Sequence, residues 1–215
     1  MTVVADVASG LRGRGRLLRI GWLGAKGRRH PHEACRCIDH HDDGRTRFGV
    51  VPVAQALVQA ARCVEREAFF VAYESAWRLG LLSAADRVEI RAHLPARLAR
   101  LVVIARPDAD SGLESLLRLR LMDRGIHQDC QVWIPGVGRV DFVIGGRVTL
   151  EVDGRLNHDG PSLRHKDLLR DAHAAASGYE TLRFDYAMVV HQWPLVEAAI
   201  LCRWGAVTPT PQERV

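Results

Sequence analysis

Over residues 139–153 apolar and polar positions alternate in two short runs. Val140, Phe142 and Ile144 alternate with Asp141 and Val143, and Val148, Leu150 and Val152 alternate with Thr149, Glu151 and Asp153. A period of two predicts half-buried strands, and Gly145 and Gly146 between them predict a tight turn. If the two apolar rows share a face, Val140 opposes Val152 and Phe142 opposes Leu150, which makes Gly145-Gly146-Arg147 a three-residue loop. Asp141 then stands opposite Glu151. A two-residue Gly-Gly loop would instead shift the pairing by one and turn Asp141 to the other face.

Elsewhere the period is mostly helical. Ala56, Leu57, Ala60, Ala61 and Val64, then Phe69, Phe70, Tyr73, Ala76 and Trp77, make apolar stripes between Val53 and about Arg106, broken at Gly80 and Pro95. Ser83 with Asp86 predicts a capped helix from Ala84 to His93. Phe48 to Val53 reads as a short strand leading into the first helix. Pro107, Asp108, Asp110 and Ser111 form a linker, after which Ser111 opens a helix whose buried side is Leu113, Leu116, Leu117, Leu119 and Leu121 and whose end is Gly125. Cys130 to Pro135 reads as a strand. Beyond the hairpin, a helix from Pro161 with Leu163, Leu168, Leu169 and Ala172 on its apolar side stops at Gly178. Tyr179 to Phe184 reads as a strand and Trp193 to Trp204 as an amphipathic helix. The order helix, three strands, helix, strand, helix predicts an α/β sandwich with a mixed central sheet, its last strand parallel to its neighbour. The expected organisation is a basic, partly irregular segment (1–50), a helical region (51–107), an α/β domain (108–205) and a flexible tail (206–215).

Composition adds boundaries. The 215 residues, 47% hydrophobic and 26% charged, are an ordinary globular balance, enough for one large domain or two small ones. No apolar run reaches membrane-spanning length and no secretory leader is visible, so the expectation is a cytoplasmic protein with no membrane partner. Five scattered cysteines argue for reduced thiols rather than a disulfide framework. The net charge of +5 fits an anionic partner such as nucleic acid, although nearly all of it is arginine, a bias that base composition of a genome also produces. Arg12, Arg14, Arg16, Arg19, Lys26, Arg28 and Arg29 cluster early, as a phosphate-following arm or a solvated terminus. His30, His32, Cys35, Cys37, His40 and His41 are metal-binding residue types, but their crowding does not match the paired spacing of a structural zinc site.

The candidate chemistry lies on the hairpin. Directly opposed strand residues stand about 5 Å apart at Cβ, so Asp141 and Glu151 repel unless a cation or a proton lies between them. Glu114 has two readings: the reciprocal partner of Ser111 in a capping box, or a third carboxylate aimed into the same cleft. Lys166, Asp167, Arg170 and Asp171 read as i,i+3 and i,i+4 ion pairs along a helix face.

Glu114, Asp141, the segment LEVDGRLNH (150–158), KDLLRD (166–171) and GYETLRF (178–184) together resemble the very-short-patch-repair-like endonuclease domain, bacterial domain-of-unknown-function family 559 in the PD-(D/E)XK nuclease superfamily. The resemblance covers about residues 108–205. It implies a restriction-endonuclease-like fold in which Asp141, Glu151 and the carbonyl of Val152 hold Mg²⁺ or Mn²⁺, Glu114 contributes from its helix, and His158 protonates a leaving group or positions water. Two positions depart from the superfamily pattern: Asp153 replaces the lysine after the glutamate, and Val140 replaces the proline before the aspartate. Lys166, Arg147 or Arg170 can supply the missing charge, or Asp153 can act as a further ligand or base. Arg139, Arg147, Arg155 and Arg170 are the arginines placed to meet DNA. The preceding segment VVPVAQALVQAA is similar to the middle part of actinobacterial proteins that carry an abortive-infection-type antitoxin winged helix, for which too little chain precedes it here. The expected function is a Mg²⁺-dependent DNA endonuclease in repair or defence. The alternatives are a non-catalytic nucleic-acid-binding or antitoxin-like regulator, and an interaction module that needs no metal; a protein partner or homodimer is left open.

Overall fold

The computed structural model describes residues 2–4, 19–21, 51–153 and 161–207. The basic cluster apart from Arg19, the His and Cys residues of 30–41, Arg155, His158 and the tail from 208 lie outside them. The chain divides into two compact units, Met1–Pro107 and Asp108–Val215.

In the first unit two strands that the sequence pattern does not predict, β1 (Thr2–Val4) and β2 (Arg19–Gly21), pair antiparallel. Among the described residues four helices follow: α1 (Val53–Ala60), α2 (Arg66–Arg78), α3 (Ala84–His93) and α4 (Ala96–Ile104). Of the expected strand at 48–53, residues 48–50 lie outside the described residues, and Val51 and Pro52 belong to no strand because Pro52 already caps α1. The predicted stripes are the core of this unit, with Ala56, Leu57, Phe69, Phe70 and Tyr73 almost fully buried. The capping box is present, with Asp86 N–H donating to Ser83 Oγ at 3.1 Å and Ser83 N–H donating to Asp86 Oδ2 at 2.8 Å.

The second unit begins with α5 (Gly112–Asp123) and continues through β3 (Gln128–Ile134), β4 (Gly138–Ile144), β5 (Val148–Asp153), α6 (Pro161–Ala176), β6 (Glu180–Asp185), α7 (Tyr186–His191) and α8 (Trp193–Val207). It is mixed α/β. Its four-stranded sheet runs in the order β3-β4-β5-β6, with the first two pairings antiparallel and β5-β6 parallel. A parallel pair needs a crossover, and α6 supplies it. The short α7, capped by Asp185 through a 2.8 Å bond from Met188 N–H, is an element the sequence pattern does not announce.

Phe142 pairs with Leu150, as the apolar rows predict, and Gly145 and Gly146 take φ of 56° and 69° in the three-residue loop. The strands are not half-buried at the loop end, however. Val143 and Thr149, on the row opposite to Phe142 and Leu150, are also buried, while Val152 is only half-buried. The central strands are therefore covered on both faces near the loop and open toward Glu151. α5 packs against β5 and α7, and its five leucines are buried together with Glu114, Ser115 and Arg118. α6 behaves differently from its apolar pattern. Leu168, Leu169 and Ala172 are exposed, and among the described side chains of the helix, which exclude Leu163, Ala174 is the buried one, packed with Ile134, Val137, Val140 and Val143.

Candidate functional site

The β4-β5 ladder stops at Phe142↔Leu150. One residue further along, Asp141 does not continue the ladder: its Oδ2 accepts the Val152 N–H at 2.8 Å. β5 instead continues its pairing with β6, through Glu151↔Arg183 and Asp153↔Asp185. The strands thus separate where the two carboxylates lie, and a cleft of about 510 Å³ opens there. Asp141, Glu151, Asp153, Asp167 and Asp185 line it together with Arg139, Arg170 and Arg183.

Glu151 is held from both sides. Its Oε1 accepts from Arg170 Nη2 at 2.9 Å and its Oε2 from Arg183 Nε at 3.0 Å. Arg170 is anchored behind by bonds to the carbonyls of Val137 (2.9 Å) and Arg139 (3.2 Å). Arg183 forks onto Asp171, Nη1 to Oδ2 at 2.9 Å and Nη2 to Oδ1 at 2.6 Å. Burial pulls the Arg183 guanidinium down, but its bonds and attraction to Glu151 and Asp171 outweigh this and hold it above the usual arginine value. Arg170 and Asp171 of α6 therefore bond to the sheet and the β3-β4 turn rather than along their own helix face.

Glu114 sits nearby but not in the cleft lining. It is 4% exposed, and its Oε2 accepts from Asp110 N–H at 2.8 Å and Gln131 Nε2 at 2.7 Å. Half of the expected capping box forms, with Glu114 N–H donating to Ser111 Oγ at 3.2 Å, whereas the carboxylate reaches Asp110 N–H instead of the cap residue's own amide. Burial, then the charge of Asp141, pushes the Glu114 carboxyl up to about 7 against its hydrogen bonds. Asp141 is pushed up to about 6, by burial first and then by Glu151 and Asp110, while the Val152 amide and Arg139 oppose the rise. Gln131, opposite Asp141 by count between Cys130↔Phe142 and Val132↔Val140, drops out of the ladder with a φ of 55°. A left-handed glutamine is costly, and its bond to Glu114 helps to hold it there.

Of the residues picked from sequence, Asp141, Glu151, Val152, Asp153, Arg139 and Arg170 meet in the cleft. Glu114 stands behind it, Lys166 is exposed on α6 and Arg147 is exposed at the hairpin tip. Arg139 is ion-paired with Asp110. Among the described residues no group of three or more His, Cys, Asp or Glu side chains comes together as a metal cage. Arg183, Asp185 and Gln131 escaped the sequence reading. A parallel register matching Thr149 to Thr181, whose hydroxyls bond at 2.9 Å, is the signal that brings Arg183 beside Glu151. Compared with protein-family models, with curated proteins and with solved structures, the chain matches none of them.

Proposed function

We propose that the chain is a metal-dependent, endonuclease-like hydrolase of DNA phosphodiester bonds, with a restriction-endonuclease-like core in its second unit. The observation that carries this reading is the parting of β4 from β5 at Asp141 and Glu151, which leaves two carboxylates and the Val152 peptide in one open cleft. The donor set suits a hard divalent cation: every candidate ligand is an oxygen, and five carboxylates line the cleft against three guanidiniums. Asp141, Glu151 and the Val152 carbonyl would hold Mg²⁺ or Mn²⁺. When bound, such an ion supplies a hydroxide nucleophile at neutral pH and neutralises charge growing on the phosphate. The protein's own groups orient the site, the Val152 amide fixing Asp141 and the two arginines fixing Glu151. Arginine cations at the cleft attract a phosphate backbone and match its geometry.

A second reading, a non-catalytic nucleic-acid-binding or antitoxin-like regulator that keeps the fold, is favoured by the engagement of both Glu151 oxygens by arginine. Labelled single-stranded, duplex and mismatched DNA, incubated with Mg²⁺, Mn²⁺ or EDTA, separates the two. The expected result is metal-dependent cleavage that disappears in Asp141→Ala and Glu151→Ala while DNA binding persists. If wild type and variants are equally inert and all still shift DNA, the binder reading takes its place.

A further inference from the structure

We propose that Arg170 and Arg183 form an exchangeable clamp, which holds Glu151 in the free protein and moves to the backbone phosphate of an entering nucleic acid, releasing Glu151 to the cation. The inference rests on the nuclease reading and adds to it the source of positive charge that Asp153, at the superfamily lysine position, does not provide. Each Glu151 oxygen carries one guanidinium, so a divalent ion binding there alone approaches two fixed cations. The guanidiniums do not depend on Glu151 for their placement. Val137 and Arg139 carbonyls hold Arg170, and Asp171 holds Arg183 through a bidentate fork, so both stay at the cleft when Glu151 changes partner.

Exposure points the same way. The side chains of Arg170 and Arg183 are 33% and 39% exposed against 17% for Glu151, which makes the cations the more accessible half of each pair. A phosphate diester presents two oxygens to guanidinium N–H groups, one for the Arg170 Nη2 and one for the Arg183 Nε that in the free protein bond Glu151. Exchange then couples two events: phosphate draws the arginines off, and the exposed carboxylate favours the metal. A permanent structural ion-pair network would show no such coupling.

The test is calorimetric titration of Ca²⁺ into the full chain, with and without a short DNA duplex, after subtraction of Ca²⁺ binding to DNA alone. Without DNA, Arg170→Gln and Arg183→Gln should each bind Ca²⁺ about tenfold tighter than wild type, the effect of removing one charge a few ångströms from the ion in a partly solvated cleft. Arg183→Lys, which keeps the charge, should stay near wild type. Adding DNA should tighten Ca²⁺ binding to wild type and narrow its gap from the Gln variants. Unchanged or weaker Ca²⁺ binding in both Gln variants, or a wild-type affinity indifferent to DNA, overturns the clamp. Glu151→Gln distinguishes the deeper failure: if it binds Ca²⁺ as wild type does in the presence of DNA, Glu151 is not a ligand, and the nuclease reading falls with the clamp.

Discussion

Glu114 and Asp141 ionise with difficulty, near pH 7 and 6, chiefly because burial strips water from them and secondarily because negative charge lies close by. Both values lie above those of carboxylates in an unfolded chain, near 4, so between those limits the folded protein binds more protons than the unfolded one. Their contribution is therefore complete below about pH 4 and is lost as pH rises through 6 and 7. In EDTA, urea unfolding should show stability falling from about pH 4 to 7. Glu114→Gln, which keeps an oxygen for the Asp110 N–H, should flatten that fall by on the order of 2 kcal/mol; a slope unchanged by the substitution contradicts the assignment. At this scale the sequence was only partly legible. Ser111 capping the Glu114 amide is a local bond and could be read from spacing, but the carboxylate's turn toward Asp110 and Gln131 depends on β3 packing beside the helix. Arg183 was invisible for the same reason, because its partner lies on a different strand across a crossover.

The hairpin is the element on which the site depends, and two glycines set its register. A Cβ added at Gly146 meets nothing within 4 Å, so Gly146→Ala tests backbone conformation alone at a φ of +69°. It should cost about 1–2 kcal/mol in urea denaturation, with the site's spectroscopic and binding properties kept. A loss well above this would mean that the strand register itself had slipped. The loop end of the hairpin was legible because the apolar rows and the loop demanded the Phe142↔Leu150 pairing, but the expected Val140↔Val152 and Asp141↔Glu151 pairs are not in the ladder, which ends at Phe142↔Leu150 where the strands part. α6 was not legible, because Leu168 and Leu169 fit a helical stripe that burial does not use: Asp167, Arg170 and Asp171 turn to the cleft or its rim, and only Ala174 among the described side chains of the helix is buried. A stripe gives the period of a helix but not which side the rest of the chain will cover.

At the scale of the molecule, the order of helices and strands was readable in the second unit because each element carries its own period and stop signal. The pairing of β5 with β6 fits the crossover expected there. Because residues 108–215 form a compact unit, a fragment of them should unfold in one cooperative transition; a fragment that shows none contradicts this. Among the described residues no helix is long and apolar enough to cross a membrane. The parallel strand pair also has a consequence for synthesis. β3, β4 and β5 are joined by short turns and can zip as soon as they leave the ribosome, whereas Arg183 follows Glu151 by 32 residues. Until β6 arrives, Glu151 has no partner on that strand and the cleft has no far wall. A ribosome-bound chain stalled before Arg183 is therefore unable to complete the cleft, and premature termination in the last strand leaves that wall unbuilt while the hairpin can still form.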